Sequence, residues 1–241
     1  MTTTESTPIR LYLLQLALGS DGTPVPGYLI QTSDGKNILV DTGVPLDGSF
    51  VPMSGAQLQL FSVVEQLAAL GLTPHDIHIL VCTHFDPDHC GSHDAFPEAE
   101  FVVQRAEYEF ARASENPRFT LTRSHWNRPE HRYQLIEGDT ELTPGVELIE
   151  TGGHTPGHQA VLVLLPQTGP VLLVIDAAAM ESELNPETRL PENGADLDPA
   201  RAAESARKLF DLAQHENVAL IVFGHDENHW PKLKKAPEFY A

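Results

Sequence analysis

The chain has 241 residues and a formal net charge of −19, from 34 acidic against 15 basic side chains. So acidic a chain argues against binding to nucleic acid or to an anionic membrane surface, both of which call for basic patches. No apolar run approaches the length of a membrane span, the polar start Met1–Arg10 lacks the blocks of a signal peptide, and two cysteines, Cys82 and Cys90, are too few for a disulfide framework, so a soluble cytoplasmic protein is expected.

In chain order, Leu11–Leu18, Gly27–Thr32 and Asn37–Val40 predict short strands, separated by turn clusters at Gly19-Ser20-Asp21-Gly22 and Ser33-Asp34-Gly35. Leu60, Phe61, Val64, Leu67 and Ala68 recur at helical spacing and predict a helix over Ala56–Leu70, capped by Ser54 and ended by Gly71. Ile77–Cys82 is a continuous apolar strand, Glu100–Gln104 another, and Ala106–Ser114 a helix. Residues 115–132 are polar and aromatic without periodicity, which suits a surface insertion or lid. Val146–Glu150, Gln159–Leu165 and Val171–Ile175 predict strands, Asp198-Pro199 opens a helix, and Val218–Phe223 is the last buried strand. Strands interleaved with helices in both halves, with no linker, predict one α/β domain over residues 1–241: two mixed sheets face to face with helices outside.

Four short segments carry metal-ligand residue types, and each follows a predicted strand. They are His84-Phe85-Asp86-Pro87-Asp88-His89, Gly152-Gly153-His154-Thr155-Pro156-Gly157-His158, Asp176 after Val171–Ile175, and Gly224-His225-Asp226. Residues at one edge of a sheet converge in space however far apart they lie in sequence. Imidazole mixed with carboxylate suits Zn, Fe, Mn or Co rather than Mg or Ca, which prefer all-oxygen shells. No Gly-x-Ser-x-Gly motif offers a covalent nucleophile.

With these segments in this order, the chain resembles the metallo-β-lactamase superfamily, whose HxHxDH signature is spelled here His84-x-Asp86-x-Asp88-His89. The resemblance extends back to Asp41-Thr42-Gly43, and Val103–Glu109, Ile136–Asp139, Thr151–Gln159, Phe223–Asp226 and Pro237-Glu238-Phe239-Tyr240 make the chain look most like the N-acyl-homoserine lactonases, the quorum-quenching lactonases. The resemblance implies an αββα sandwich holding two divalent transition-metal ions, Zn foremost, with Mn, Fe or Co as alternatives. It implies that His84, Asp86 and His154 hold one ion, Asp88, His89 and His225 the other, and that Asp176 bridges them. The implied reaction opens a small lactone by attack of a metal-bridging hydroxide, with Asp88 carrying the proton to the departing alkoxide. The implied partner is a small-molecule lactone, and a homodimer is compatible with the resemblance.

Two positions depart from that pattern. Asp86 replaces the usual histidine, which adds negative charge and shifts metal preference toward harder ions such as Mn²⁺ or Fe²⁺. Ala179 stands three residues after Asp176, where the lactonases carry a tyrosine, and offers no hydroxyl to the substrate carbonyl. Tyr28, His125 and Tyr133 are the candidates to replace it, and Phe50, Phe85 and Trp126 are candidates to line an acyl pocket. His158 is read as a loop-fixing residue. The alternatives are a hydrolase of another ester, thioester or phosphotriester on the same site, a di-iron redox protein, or a non-catalytic binding protein with a degenerate site.

Overall fold

A computed structural model describes residues 6–48, 50, 55, 57–189 and 194–241. The first sheet is built from β1 (Pro8–Gly19), β2 (Pro24–Thr32), β3 (Asn37–Val40), β4 (Leu58–Leu60), β5 (Ile79–Val81), β6 (Glu100–Gln104) and β7 (Arg132–Ile136), in the order β4-β1-β2-β3-β5-β6-β7. The second contains β8 (Thr140–Thr143), β9 (Val146–Glu150), β10 (Gln159–Leu165), β11 (Gly169–Ile175) and β12 (Leu220–Phe223), in the order β12-β11-β10-β9-β8. Both sheets are mixed: β3, β5, β6 and β7 run parallel, as do β11 and β12, and the other pairings are antiparallel.

The two-residue period of the strands makes the layers. Leu11 and Leu13 of β1 point between the sheets with Tyr28, Ile30 and Val40, and meet Val146, Leu148, Val161 and Leu173 of the second sheet. Their neighbours Tyr12, Leu14 and Leu16 point outward, under Val63 and Leu67 of α1 (Val63–Ala69). On the opposite outer face Leu162, Leu172 and Val174 lie under Leu209 of α6 (Pro199–His215) and Leu184 of α5 (Glu181–Leu184). The result is the αββα sandwich implied by the resemblance. Each fully buried Leu or Val in these layers contributes about 1.5–3 kcal/mol relative to exposure.

Asp198 caps α6 by accepting from the Arg201 N–H, and Pro199 takes the first helical position, as expected from the sequence. The expected helix over Ala56–Leu70 is shorter. It begins at Val63, where Ser62 accepts from the Glu65 N–H, while Leu58–Leu60 pairs as an edge strand with the end of β1. A helix begun earlier would take Leu58 and Leu60 off the edge that Ala17–Gly19 offers. Ser54 and Ala56 lie outside the described residues.

The segment at 115–132, read as a surface insertion, forms two one-turn helices, α3 (Pro117–Thr120) and α4 (Arg123–Trp126). Its Phe119 and Trp126 are completely buried, in a cluster with Cys82, Phe85, Cys90, Val103 and Ala111 against α2 (Arg105–Ala113). That packing anchors the segment and sets Arg118 over one sheet edge.

Candidate metal centre

The loops that follow β3, β5, β9, β11 and β12 meet at one edge of the sandwich. They bring together two groups of ligand-type atoms: His84, Asp86, His154 and Asp176 in one, and Asp88, His89 and His225 in the other. Asp176 joins the two groups. Its Oδ2 lies 3.8, 3.3 and 3.2 Å from Nε2 of His84, His154 and His225, and its Oδ1 lies 3.4 Å from Nε2 of His89. Asp86 Oδ2 is 3.4 Å from His84 Nε2 and 3.1 Å from His154 Nε2. Asp88 Oδ2 is 3.9 Å from His89 Nε2 and 3.7 Å from His225 Nε2.

The imidazoles are oriented from behind by oxygens. Asp41 accepts from His89 Nδ1 at 2.8 Å and from the Thr83 hydroxyl at 2.7 Å. The Thr83 oxygen is then left to accept from His84 Nδ1 at 3.0 Å. Asp196 faces His154 Nδ1 at 3.1 Å, and the Pro24 carbonyl accepts from His225 Nδ1 at 2.8 Å. Each ring therefore directs Nε2 into the centre, which is how outer partners prepare a histidine for a metal ion. His84 Nε2, His89 Nε2 and Asp176 Oδ1 are buried with no hydrogen-bond partner among the described residues. Buried polar atoms are left unpaired at a cost of about 1–3 kcal/mol each, and a cation between them removes that cost. The donor set thus fits metal ions.

Backbone geometry supports the same edge. Ile175, a β-branched residue, sits at φ +53° directly before Asp176, and Asp41 at φ +58°. Such conformations cost roughly 1–3 kcal/mol each and persist where their surroundings impose them. His158 imposes one of them: its Nε2 accepts from the Asp176 N–H at 3.2 Å and its Nδ1 bonds Thr151 at 2.8 Å. Burial, followed by the neighbouring histidines, keeps His158 well below the usual imidazole range, so it stays neutral and available as that acceptor. Gly224 is required by close approach, because a Cβ there would stand 2.6 Å from the Ile175 carbonyl and 2.8 Å from Asp176 Oδ1.

In the metal-free protein burial disfavours a charged His225, but the Asp176 carboxylate outweighs it and pushes the pKa up to about 9. His89 moves the same way, with Asp176 and Asp88 prevailing over burial. At pH 7 both rings then hold protons that an ion must expel. Ion uptake at pH 7 is expected to release protons, fewer as the pH rises through about 9, measured by calorimetry in buffers of different ionisation enthalpy. Proton-neutral uptake at pH 7 would contradict this. By the same linkage His225 stabilises the metal-free fold fully below its unfolded pKa of about 6.5, and that contribution fades as the pH rises through about 9.

The residues considered for the substrate lie in different surroundings. Phe85 and Trp126 are fully buried and pack on each other with ring centroids 4.2 Å apart, so both are turned into the core. Phe50 packs partly buried against the outer cluster of the first sheet. Tyr133 donates its hydroxyl to the Trp126 carbonyl at 2.7 Å, and His125 lies between Asp94 and Asp47 at 3.0 and 3.3 Å. The buried Tyr28 hydroxyl has no hydrogen-bond partner among the described residues; burial first, then Asp41 and Asp176, keep it protonated by raising its pKa well above the usual phenol range. Ala179 presents its carbonyl to the His225 N–H at 2.8 Å.

Two residues of the centre had no role in the sequence reading. Glu107 is fully buried and accepts from the Phe85 N–H at 3.1 Å and the Gly157 N–H at 3.0 Å, tying two ligand loops together. Arg118 extends from α3 to Asp86, donating Nη2 to Oδ2 at 2.6 Å and Nε to Oδ1, and its Nη2 lies 2.7 Å from His154 Nε2. No periodicity or motif marks Arg118. Glu107 has a weak signal, a carboxylate in the first turn of a helix that directly follows a strand.

Comparison with known proteins agrees with this geometry. The family described as the metallo-beta-lactamase superfamily matches residues 20–225. An N-acyl homoserine lactonase of Bacillus sp is 36% identical over 229 residues, covering 90% of this chain and 86% of the relative. The N-acyl homoserine lactonase AttM of Rhizobium radiobacter is 34% identical, covering 98% of this chain and 100% of the relative. Among solved structures, an N-acyl homoserine lactone hydrolase with the product N-hexanoyl-L-homoserine at its catalytic metal centre superposes with a TM-score of 0.81 at 31% identity, covering 97% of this chain and 100% of the other. By this match over nearly the whole chain, the chain belongs to the metallo-β-lactamase superfamily, in the group of the N-acyl homoserine lactonases.

Proposed function

We propose that this chain is a dinuclear-metal hydrolase that opens the lactone ring of N-acyl homoserine lactones. The observation that carries the reading is the complete set of seven His and Asp side chains, with all four imidazoles turned inward from oxygen partners. Relatives named N-acyl homoserine lactonases over nearly the whole chain support it. His84, Asp86 and His154 would hold one ion, Asp88, His89 and His225 the other, and Asp176 both. Imidazole with carboxylate suits Zn²⁺, and also Mn²⁺, Fe²⁺ or Co²⁺. When bound, two such ions acidify a water and draw electrons from a carbonyl.

The chain's own residues supply positioning and proton transfer. Asp88 is the most exposed of the seven side chains, at 22%, between His89 and His225. Asp88 would take the proton of the attacking water and return it to the released ring oxygen. His158 holds the backbone of Asp176, and Asp41 with Thr83 holds His84 and His89 in the tautomers they need. The whole chain serves this centre as one domain, with residues 115–132 as its anchored wall and a small lactone as the cytoplasmic substrate; neither nucleic acid nor membrane takes part.

The alanine at 179 favours a second substrate class, since a carbonyl donor is absent there. A panel separates the two: N-butanoyl-, N-hexanoyl- and N-decanoyl-homoserine lactone beside an aryl ester, a thioester and a phosphotriester. At least one lactone is expected to reach a kcat/KM of about 10⁴ M⁻¹s⁻¹ or more, in the ordinary enzyme range, with chelation abolishing turnover and Zn²⁺ restoring it. Faster turnover of the aryl ester, thioester or phosphotriester than of every lactone would overturn the substrate reading. Full activity after metal removal would overturn the mechanism.

A further inference from the structure

Asp86 and Arg118 form a pair in which both carboxylate oxygens are engaged by one guanidinium. The pair is largely buried, with side chains 11% and 17% exposed. Arg118 is held from both ends. Asn116 caps α3 by accepting from the Arg118 N–H at 3.0 Å, and Nη1 donates to the Ala195 carbonyl at 2.6 Å. The decisive contact is Nη2, which lies 2.6 Å from Asp86 Oδ2 and 2.7 Å from His154 Nε2. Those two atoms belong to the four that converge at the first metal position.

A neutral imidazole that donates through Nδ1 has one lone pair, in the ring plane at Nε2. An ion needs His154 neutral, with its Nδ1 proton toward Asp196 and its one lone pair at Nε2, the atom that Arg118 Nη2 approaches to 2.7 Å, so the guanidinium must withdraw before an ion takes that lone pair. Asp86 is less exclusive, because Oδ1 can keep its bond from Arg118 Nε while Oδ2 turns to an ion. Charge points the same way. Asp86, Asp88 and Asp176 contribute three negative charges, and Arg118 returns one positive charge beside Asp86. A carboxylate–guanidinium pair carries the same net charge as the neutral histidine usual at position 86. Among the described residues the second group, Asp88, His89 and His225, has no such cation: its ion pairs are with one another, with Asp41 or with Asp176.

We propose that Arg118 is a tethered cation at the first metal position, so that the two positions are unequal: the Asp88–His89–His225 position fills first, and the His84–Asp86–His154 position fills only as Nη2 swings off His154. This rests on the two-metal reading above and is independent of which ester is cleaved. In this role Arg118 is a positioning residue, acting on the metal through its ligands.

The test is equilibrium titration of the full chain, freed of metal by chelation, with Zn²⁺ and then Mn²⁺, with bound metal counted by elemental analysis after dialysis. The wild type is expected to show one tight and one weaker ion. Arg118→Ala should tighten the weaker class about 10–100-fold, the usual scale for outer partners of a metal ligand, and move the tight class less than about threefold. Arg118→Lys keeps the charge without the fork and covers the case in which Arg118→Ala does not fold; it should tighten the weaker class by a smaller factor. In an Asp86→His background the further change Arg118→Ala should have less effect than in the Asp86 protein, a coupling read by a double-mutant cycle. Equal affinity for both ions in the wild type, a uniform shift of both classes in Arg118→Ala, or no shift in either Arg118 variant would overturn the proposal. A protein that fills unequally and opens no lactone would sink the function and leave this inference standing.

Discussion

Asp176→Ala is expected to lower lactone kcat/KM by about 10³-fold or more, beyond the roughly 10²–10³-fold attached to one lost oxyanion donor. Asp176 is the only described side chain within 4 Å of Nε2 of all four imidazoles, reaching three through Oδ2 and the fourth through Oδ1. Its removal takes a ligand from both metal positions at once and leaves the two groups unconnected. Metal content should fall below two ions per chain at micromolar free metal. Asp176→Asn preserves shape and removes the charge that holds His225 up to about 9, so it should lose most of the same activity while folding normally. Elemental analysis and kinetics with N-hexanoyl-homoserine lactone decide the matter, with circular dichroism as the fold control. Two bound ions and more than a tenth of wild-type turnover in Asp176→Ala would refute the bridging role.

The ligand loops were legible because each follows a readable strand: β5, β11 and β12 carry Val, Leu and Ile almost without interruption, and β9 sets them between glutamates. The strands that escaped notice, β4, β7 and β8, are short, sit at or near sheet edges and alternate weakly, so local pattern distinguishes them poorly from loop. The helix start at Val63 was misplaced because Leu60 and Phe61 extend the helical spacing backward, whereas tertiary pairing with β1 claims Leu60 for a strand. Asp86 was visible as an anomaly of the motif, but its consequence was not. The compensating Arg118 lies 32 residues away, in a segment with no periodic signal, and only the burial of Phe119 and Trp126 sets it over the site. Asp41 was legible as part of a turn motif; its hold on Thr83 and His89 is a property of the folded edge alone.

Glu107→Ala should be the most destabilising single change near the centre, and the cause is again tertiary. In sequence Glu107 is one of two acidic residues on an amphipathic helix. In the fold its carboxylate is fully buried, with the Phe85 N–H on one oxygen and the Gly157 N–H on the other. Those donors belong to the loop carrying His84 and Asp86 and to the loop carrying His154. Gly157 must be glycine for this approach, since a Cβ would stand 2.3 Å from the Glu107 backbone nitrogen. Truncation orphans two buried N–H groups at about 1–3 kcal/mol each. A total of about 2–6 kcal/mol corresponds to a Tm lower by roughly 4–24 °C for a chain of this size. Separation of the two loops should also weaken metal uptake about 10–100-fold. Glu107→Gln retains one acceptor and turns an amide NH₂ toward the other donor, so it should fall between the two. Glu109, exposed two residues on, is the control, and its alanine variant should stay within about 0.5 kcal/mol of wild type. Calorimetric melting of the metal-free and metal-loaded proteins separates the two effects. A Glu107→Ala protein that melts within 2 °C of wild type and binds ions unchanged would show that the loops are held by something other than this carboxylate.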